Sequence, residues 1–273
     1  MNKKLELDFS EFYGSYKNIF KNGSINLSEY YFIHPWPIIW IIIKLINDRS
    51  LKIIFPHHKD TLSYLKKIQF DRLLIDINYQ YKLDVFNKIN INEKENLNVQ
   101  ELIHCYMVDE FNAKLFHFLK MFKKFGLSES DSQKATNIIA ELGNNVFDHN
   151  LGSWPYSVTG SFIVGQNYPN YKKIEITIGD PGIGYYGSLK ARFPQIKEDI
   201  EAIKLGLQGN TGRIDEKRGN GLKYVQKWAI QDFAGQVMIH SGNGLAIIKP
   251  DGINYKKVDR IQGTIAQFVI KYK

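Results

Sequence analysis

The sequence has little that would tie it to an oxidising compartment or to a membrane. Its 273 residues include one cysteine, Cys105, so an internal disulfide framework is excluded and a reducing compartment is expected. The segment MNKKLELDF has no apolar run after its lysines, so no secretory signal is visible. The longest apolar segment, residues 37–43, falls far short of the ~20 residues that a membrane span requires. We therefore expect a soluble cytoplasmic protein with no membrane partner.

The sequence also lacks a long run of basic residues, although its formal net charge is +8. Such a charge admits an anionic partner, which could be a nucleic acid, an acidic protein surface or a nucleotide. The lysines are spread along the chain, which is equally typical of a solvated basic surface. Charge alone therefore leaves nucleic acid among the candidate partners and selects none of them.

The N-terminal third alternates strand-like and helix-like segments. Residues 51–55 (LKIIF) predict a strand, and residues 61–70 have the apolar spacing of a helix. Residues 38–47 predict a buried helix, with a strand as the alternative because of their β-branched run. Shorter strand-like segments lie at residues 5–9 and 29–33. This order predicts a small α/β domain over residues 1–98 with partly parallel strands, ending in a polar, asparagine-rich connection at residues 79–97.

Part of this region resembles the STAS-like modules of bacterial regulators. In these modules a strand leads to a helix, a short strand and then a helix with a Y-L-x-x-x-x-F pattern, which is found here at residues 64–70. Phosphorylatable members carry a serine where the first helix begins, whereas this sequence has H-P-W-P at residues 34–37. The resemblance implies a regulatory module, and the missing serine argues against a phosphoacceptor role.

Two helices are predicted after the connection. The first has apolar residues at every third or fourth position and ends near Gly126; these residues are Met107, Phe111, Leu115, Leu119 and Phe122. His104 and Cys105 would be adjacent on this helix with diverging side chains, so we do not expect a nucleophile pair. Ser130 and Gln133 fit a capping box at the start of the second helix.

The second helix contains an unusually polar stretch, A-E-L-G-N-N-V-F-D-H-N, at residues 140–150. At ~100° per residue, Glu141, Asn145 and Asp148 fall within roughly 60° of one another on the helix surface. An apolar stripe runs beside them and consists of Ala135, Ile138, Ile139, Leu142 and Val146. One edge of this helix is therefore predicted to pack on a core, while the adjoining edge presents oxygen ligands.

A second polar motif, D-P-G-I-G at residues 180–184, directly follows the strand-like segment KIEITIG. Asp180 offers an acceptor that suits an exocyclic amine. Gly182 and Gly184 let the backbone bend sharply and come close to a ligand. A turn without any ligand is the alternative, because aspartate and glycine are common in turns.

Glycine is frequent between residues 205 and 221, where it is interleaved with four basic residues: Lys204, Arg213, Lys217 and Arg218. This composition predicts a mobile cationic flap, with a flexible surface loop as the alternative. The following R-G-N-G-L-K-Y-V opens a predicted helix whose first N–H groups suit phosphate oxygens. Neither a G-x-x-x-x-G-K-[ST] nor a Rossmann glycine pattern follows a strand here. Three more strands, at residues 236–240, 245–248 and 264–270, complete a predicted helix-over-sheet α+β layer.

Together these pieces resemble the ATP-binding superfamily shared by gyrase, MutL and histidine kinases, often called GHKL. The resemblance covers residues 130–273 and rests on four motifs in the family's order. E-L-G-N-N at residues 141–145 is similar to its N-box, and D-P-G-I-G is similar to its first glycine box. G-N-G-L at residues 219–222 is similar to its second glycine box, and Gly263-Thr264 to the G-T that opens its last strand.

The resemblance implies an ATP site that uses Mg²⁺. Asn145 would be the magnesium ligand, which fits a hard cation that takes an amide oxygen, phosphate oxygens and water. Glu141, one turn earlier, would orient or deprotonate the attacking water in the family's hydrolases. Asp148 would be a pocket-wall or structural carboxylate, and His149 would satisfy the helix end.

The other motifs would hold the two ends of the nucleotide. Asp180 would accept a hydrogen bond from the adenine amine with Thr264 nearby, and Gly182 and Gly184 would make room for the base. The phosphates would be held by the turn and helix start at Gly219, Gly221 and Leu222.

The resulting expectation is an α+β protein in which a C-terminal helix-over-mixed-sheet ATP-binding sandwich, residues 99–273, follows the small α/β domain. Its function would be that of a magnesium-dependent ATPase or ATP-driven switch in bacterial regulation, acting on an unidentified protein partner. A protein kinase of the serine or histidine type is the first alternative, although no H-E-[LI]-[RK]-x-P-like helix precedes residue 130. A nucleotide-sensing regulator that does not hydrolyse ATP is the second. A homodimer is compatible with each of these.

Overall fold

A computed structural model of the protein describes residues 5–90, 98–150, 152–212 and 220–272. These residues form an α+β structure. The N-terminal part consists of short strands and helices, which in chain order are β1 (Glu6–Leu7), α1 (Phe9–Gly14), α2 (Tyr16–Ile19), β2 (Phe20–Lys21), β3 (Ser24–Asn26), β4 (Phe32–Ile33), α3 (Pro35–Asn47), β5 (Lys52–Ile54), α4 (Lys59–Lys67) and α5 (Phe70–Asp76). A 3₁₀ turn at Leu83–Phe86 follows α5.

Longer strands and helices make up the rest of the chain. They are β6 (Val99–Cys105), α6 (Val108–Lys124), α7 (Glu129–Asn150), β7 (Ser161–Tyr168), β8 (Lys173–Asp180), α8 (Gly184–Lys190), α9 (Asp199–Leu207), α10 (Gly221–Gln226), β9 (Gln236–Ser241), β10 (Gly244–Lys249), β11 (Gly252–Lys257) and β12 (Thr264–Lys271). A π-helical segment at Lys227–Asp232 continues α10. None of the helices in the described part of the chain is long and apolar enough to cross a membrane.

The main sheet has seven strands in the order β11-β10-β9-β12-β8-β7-β6. Every pairing in it is antiparallel, so the expectation of a mixed sheet is wrong. The reason is connectivity: β7 and β8, and likewise β9, β10 and β11, follow one another through short turns, which join antiparallel neighbours. Within the described ranges, the predicted parallel pairs occur only between short N-terminal strands, β1 with β4 and β3 with β5.

One face of the main sheet packs against α6, α7, α9 and α10. Alternate residues of β8 point to this face, where Ile174, Ile176 and Ile178 join the apolar stripe of α7 in one core. Ile138 and Ile139 of that stripe are fully buried. The predicted division of α7 into a packed edge and a polar edge is therefore confirmed.

The opposite face of the sheet is covered by the N-terminal part of the chain. Helix α3 is buried along almost its whole length, and Trp36 and Trp40 belong to the same core as Phe162 of β7 and Ile265 of β12. The helix expected at residues 38–47 is confirmed, and it begins earlier, at Pro35, where a missing N–H costs nothing. The boundary expected between residues 98 and 99 therefore does not separate two cores.

The described part of the predicted connection, residues 79–90, also packs into this core. Phe86 is buried, and the Tyr79 hydroxyl accepts a hydrogen bond from the backbone N–H of Ile53 at 2.7 Å. Residues 91–97 lie outside the described residues. Residues 79–90 are thus part of the N-terminal structure.

Two local predictions differ from the structure. His104 and Cys105 lie on strand β6, where a bulge between Gln100 and Ile103 interrupts the alternation that would have marked a strand. Helix α7 is capped by Ser128, whose hydroxyl accepts from the N–H of Asp131 at 3.1 Å, so the predicted capping box at Ser130 is wrong.

Candidate functional site

A cleft lies between α7, α8 and α10 and the ends of β8 and β12. Five of the predicted site residues line it, and they come from all four motifs: Asn145, Asp180, Gly184, Leu222 and Thr264. Its remaining walls are largely apolar and include Ile178, Leu189 and Ala266.

Asp180 forms the deep end of the cleft. It is the last residue of β8, pairs in register with Thr264 of β12 and is only 4% exposed. Its Oδ1 accepts hydrogen bonds from the side-chain amide of Asn150 at 3.1 Å and from the N–H of Gly182 at 2.9 Å. Burial raises the pKa of Asp180 to about 7, and these two donors act in the opposite direction by stabilising the charged form.

A pair of hydroxyl groups lies on the β12 side of this deep end. The Thr264 hydroxyl is 3.2 Å from the hydroxyl of Ser241, which donates to the carbonyl of Gly263 at 3.2 Å and accepts from the N–H of Tyr185 at 2.9 Å. Gly184 sits above this pair with a φ of +69°, and a Cβ there would be 2.6 Å from the Ser241 oxygen. Glycine at position 184 is therefore required by both its backbone angle and its neighbour.

Gly182 does not line the cleft. A Cβ at this position would be 1.8 Å from Oδ1 of Asn150, so the space that a side chain would take is filled by that amide. The structure thus gives a different reason for this glycine from the predicted one, which was room for a bound base.

Glu141 lies beside the cleft rather than in its lining. It is half-buried on α7, and burial raises its pKa, with a smaller contribution from the negative charge of Asp148. The start of α10 packs directly on it, because a Cβ at Gly221 would be 2.1 Å from the Glu141 Oε2. Gly221 therefore brings the first turn of α10 against this carboxylate.

The opposite end of the cleft lies between α7 and the start of α10. Asn145 and Leu222 line it together with Asn210, whose side-chain amide donates to the carbonyl of Leu205 at 3.0 Å. Gly219, Arg213, Lys217 and Arg218 lie outside the described residues. Lys204, the described cation of the predicted flap, packs over the Tyr255 ring at 4.9 Å and so contacts β11.

The described residues contain no group of three or more histidine, cysteine, aspartate or glutamate side chains that could hold a metal ion by themselves. Asn145 offers one amide oxygen in the cleft. This donor set fits a hard cation only if phosphate oxygens and water complete the coordination, which is how Mg²⁺ usually binds nucleotides. The residues present are therefore compatible with a magnesium ion that arrives with its nucleotide.

Two residues beside the cleft make polar contacts that were not predicted from the sequence. Asn150, the last residue of α7, joins the helix to Asp180 and to the N–H of Ile183. The Nδ1 of His149 lies 3.4 Å from the Ser188 hydroxyl, so this histidine faces α8. Both residues are in the polar stretch that the sequence singles out, but their partners lie 30, 33 and 39 positions away in the chain.

Comparison with known proteins adds no family to this description. No protein-family model matches the chain, and no curated protein matches it.

Proposed function

We propose that the protein binds magnesium-ATP in this cleft and acts as an ATPase or an ATP-driven switch. The observation that supports the proposal is the convergence of Asn145, Asp180, Gly184, Leu222 and Thr264 on one cleft. These residues belong to four motifs that are far apart in the chain. A structural turn or a flexible loop explains any one motif alone, but neither explains why all four meet.

The deep end of the cleft suits an adenine base. Ile178, Leu189 and Ala266 offer apolar contacts to a flat ring, and Asp180 is a buried acceptor for its exocyclic amine. The carboxylate has one oxygen already bonded to two donors, which leaves the other oxygen for the ligand. Thr264 lies across the strand pair from Asp180 and adds a hydroxyl beside the base.

The other end of the cleft suits the phosphates. Asn145 would provide an oxygen ligand to Mg²⁺, and the first backbone N–H groups of α10 would face phosphate oxygens near Leu222. The metal ion, when bound, would offset the charge of the phosphates. Glu141, next to the start of α10, would take a proton from the attacking water, a role favoured by a raised pKa.

Calorimetric titration with ATP, in the presence and absence of Mg²⁺, tests the binding proposal. We expect the wild-type protein to bind magnesium-ATP and the Asn145→Ala protein to lose the metal-dependent part of the affinity. Asn137→Ala is the matched control, because Asn137 lies on the same helix outside the cleft lining, where its side-chain oxygen accepts a hydrogen bond from Gln133 at 3.0 Å. Absence of any nucleotide affinity in the folded wild-type protein would overturn the proposal.

Hydrolysis and phosphate transfer are separated by a second experiment. We expect Glu141→Ala to bind ATP normally and to release phosphate at least about a hundredfold more slowly, the usual size of a general-base contribution. Because Glu141 lies beside the cleft lining, transfer to a protein is the second candidate function. Unchanged turnover in this variant, with a labelled protein band after incubation with γ-labelled ATP and cell extract, would favour the kinase. Binding without turnover or transfer would favour the sensor.

A further inference from the structure

Asn150 is a buried polar side chain beside the cleft that makes three hydrogen bonds. It is the last residue of α7 and is 3% exposed. Its Nδ2 donates to the carbonyl of Val146 at 2.6 Å and to Oδ1 of Asp180 at 3.1 Å. Its Oδ1 accepts from the N–H of Ile183 at 2.7 Å. All three contacts are to groups that cannot move away without disturbing α7 or the D-P-G-I-G turn.

The orientation of this amide is determined by the backbone. The N–H of Ile183 can only donate and the carbonyl of Val146 can only accept, so the amide oxygen must face Ile183 and the amide nitrogen must face Val146. The second hydrogen of Nδ2 is thereby directed at Asp180. Asn150 can present only a donor to this carboxylate, and Gly182 provides the space that this arrangement needs.

We propose that Asn150 is a positioning residue that sets base specificity: by donating to Oδ1 of Asp180 it holds the carboxylate as an acceptor and so selects 6-amino over 6-oxo purines. This inference rests on the proposed function, in which Asp180 meets the base. With Oδ1 held by Asn150 and Gly182, the carboxylate cannot rotate to exchange its oxygens without breaking both bonds.

The chemistry of the two purine classes explains the selection. A 6-amino group donates a hydrogen bond and matches an ionised carboxylate, whereas a 6-oxo group accepts and would leave two oxygens facing each other. A protonated Asp180 would reverse the preference, because its O–H could donate to the 6-oxo group. Burial raises the pKa of Asp180 to about 7, so near neutral pH the amide donor helps to decide which form is present.

The test compares ATP with inosine triphosphate, which differs from ATP in carrying a 6-oxo group and an N1 proton on the base. Calorimetry with Mg²⁺, at one pH above the pKa of Asp180, gives the ratio of the two affinities. We expect the wild-type protein to favour ATP by roughly ten- to a hundredfold, the effect of one unmatched buried polar group. In Asn150→Asp the acceptor for Ile183 is kept, but the donor to Asp180 is replaced by an oxygen. The two carboxyl groups would then share a proton, and the ratio should fall to about one or below.

Asn137→Asp is the control, since it adds the same charge to the same helix away from the cleft, and its ratio should equal that of the wild type. A merely structural role for Asn150 would weaken both nucleotides together and leave the ratio unchanged, which would overturn the inference. If Asn150→Asp does not fold, Asn150→Ala removes the donor without adding charge and should lower the ratio by a smaller factor. A wild-type protein that binds neither nucleotide would instead overturn the proposed function, and a wild-type protein that binds both equally would overturn the specificity alone.

Discussion

Asp180 is the residue whose charge state most affects the proposed site. Burial raises its pKa to about 7, so it is mostly protonated below this pH and mostly ionised above it. The titratable side chains that share its cleft are Tyr185 of α8, whose pKa is raised by its own burial, and His149 of α7. The neutral form can donate to a base, whereas the ionised form can only accept.

The affinity ratio of ATP to inosine triphosphate should therefore rise with pH in the wild-type protein. Between about pH 6 and about pH 8 we expect an increase of roughly tenfold, since this range spans the titration of one carboxyl group. Calorimetry with both nucleotides at each pH makes the measurement, and ionisation of the triphosphate cancels in the ratio. A ratio that stays flat across this range would mean that Asp180 does not contact position 6 of the base.

Gly182 provides a second test at the scale of one residue. Alanine at this position would bring its Cβ to 1.8 Å from the Asn150 amide oxygen and would force the Asn150–Asp180 bond apart. We expect Gly182→Ala to lower the free energy of unfolding by about 1–3 kcal/mol, as overpacking of a close contact does. Urea denaturation measures this loss. Gly14→Ala is the control, because a Cβ there meets no atom within 4 Å and should leave stability equal or slightly higher.

The sequence predicts which residues line the cleft better than it predicts the contacts that hold them in place. Asp180 and Asn145 were predicted because each belongs to one of four motifs that follow one another in the order of a known family, and both line the cleft. Asn150 stands in the same polar stretch, but its role depends on an approach to Ile183 that no local pattern encodes. The structure also gives Gly182 a steric requirement that no local pattern encodes, since a Cβ there would meet Asn150.

Among the elements, helix α7 contributes five residues to the cleft lining, and its first turn is held by Ser128. The hydroxyl of Ser128 accepts from the N–H of Asp131 and lies 2.9 Å from the Asp131 carboxylate. The sequence S-E-S-D-S at residues 128–132 offers several serines at capping distance from an apolar run. Sequence spacing could not select among them, because the N-cap is whichever residue directly precedes the first helical turn, and that depends on the path of the preceding chain.

The two serines therefore distinguish the observed cap from the predicted one. We expect Ser128→Ala to reduce the free energy of unfolding by about 1 kcal/mol, the usual value of an N-cap. Ser130→Ala should change it by less than about 0.5 kcal/mol, because Ser130 is an exposed residue in the first turn. Chemical denaturation of both variants against the wild type provides the comparison. Equal effects from the two substitutions would contradict the assignment of the cap.

Strands were predictable where their apolar pattern is regular or nearly continuous. Strand β8 alternates isoleucine with other residues, β12 is a nearly continuous apolar run, and both were expected close to their observed positions. Strand β6 was missed because its bulge breaks the alternation, and β11 was missed because it lies at the sheet edge with every residue exposed or half-buried. The direction of pairing was also missed, since it depends on which strands meet and not on the pattern within any one of them.

At the scale of the whole molecule, the N-terminal part shares a core with one face of the main sheet and is joined to the cleft by hydrogen bonds. Asn47 at the end of α3 exchanges two hydrogen bonds with Gln262, at 2.8 Å and 3.3 Å. The Gln262 side chain in turn donates to the carbonyl of Gly182 at 2.8 Å. A shift of the D-P-G-I-G turn would therefore change the position of Gln262 and, through it, its hydrogen bonds to α3. These contacts could couple the cleft to the N-terminal part in the proposed switch.

The shared core predicts that residues 99–273 do not fold without the N-terminal part. Removing residues 1–98 would expose one whole face of the main sheet, including Phe162, Val164, Ile265 and Val269, all of which are buried against the N-terminal core. An apolar patch of this kind promotes aggregation in a soluble chain. We expect the fragment to aggregate or to give a poorly dispersed NMR spectrum, whereas the full chain should be well dispersed.

Substitution within α3 tests the same dependence without truncation. Trp40 is fully buried and its core also contains strands of the main sheet, so Trp40→Ala should destabilise the chain by about 3–5 kcal/mol. Hydrogen exchange, followed at increasing denaturant concentration, should show α3 and β12 losing protection in a single transition. Separating them would expose apolar residues on both sides of their interface. Ile75→Ala, an exposed apolar residue on α5, is the control and should have little effect. Unfolding of α3 at a denaturant concentration where β12 is still protected would indicate two independent domains, and would support the predicted boundary between residues 98 and 99.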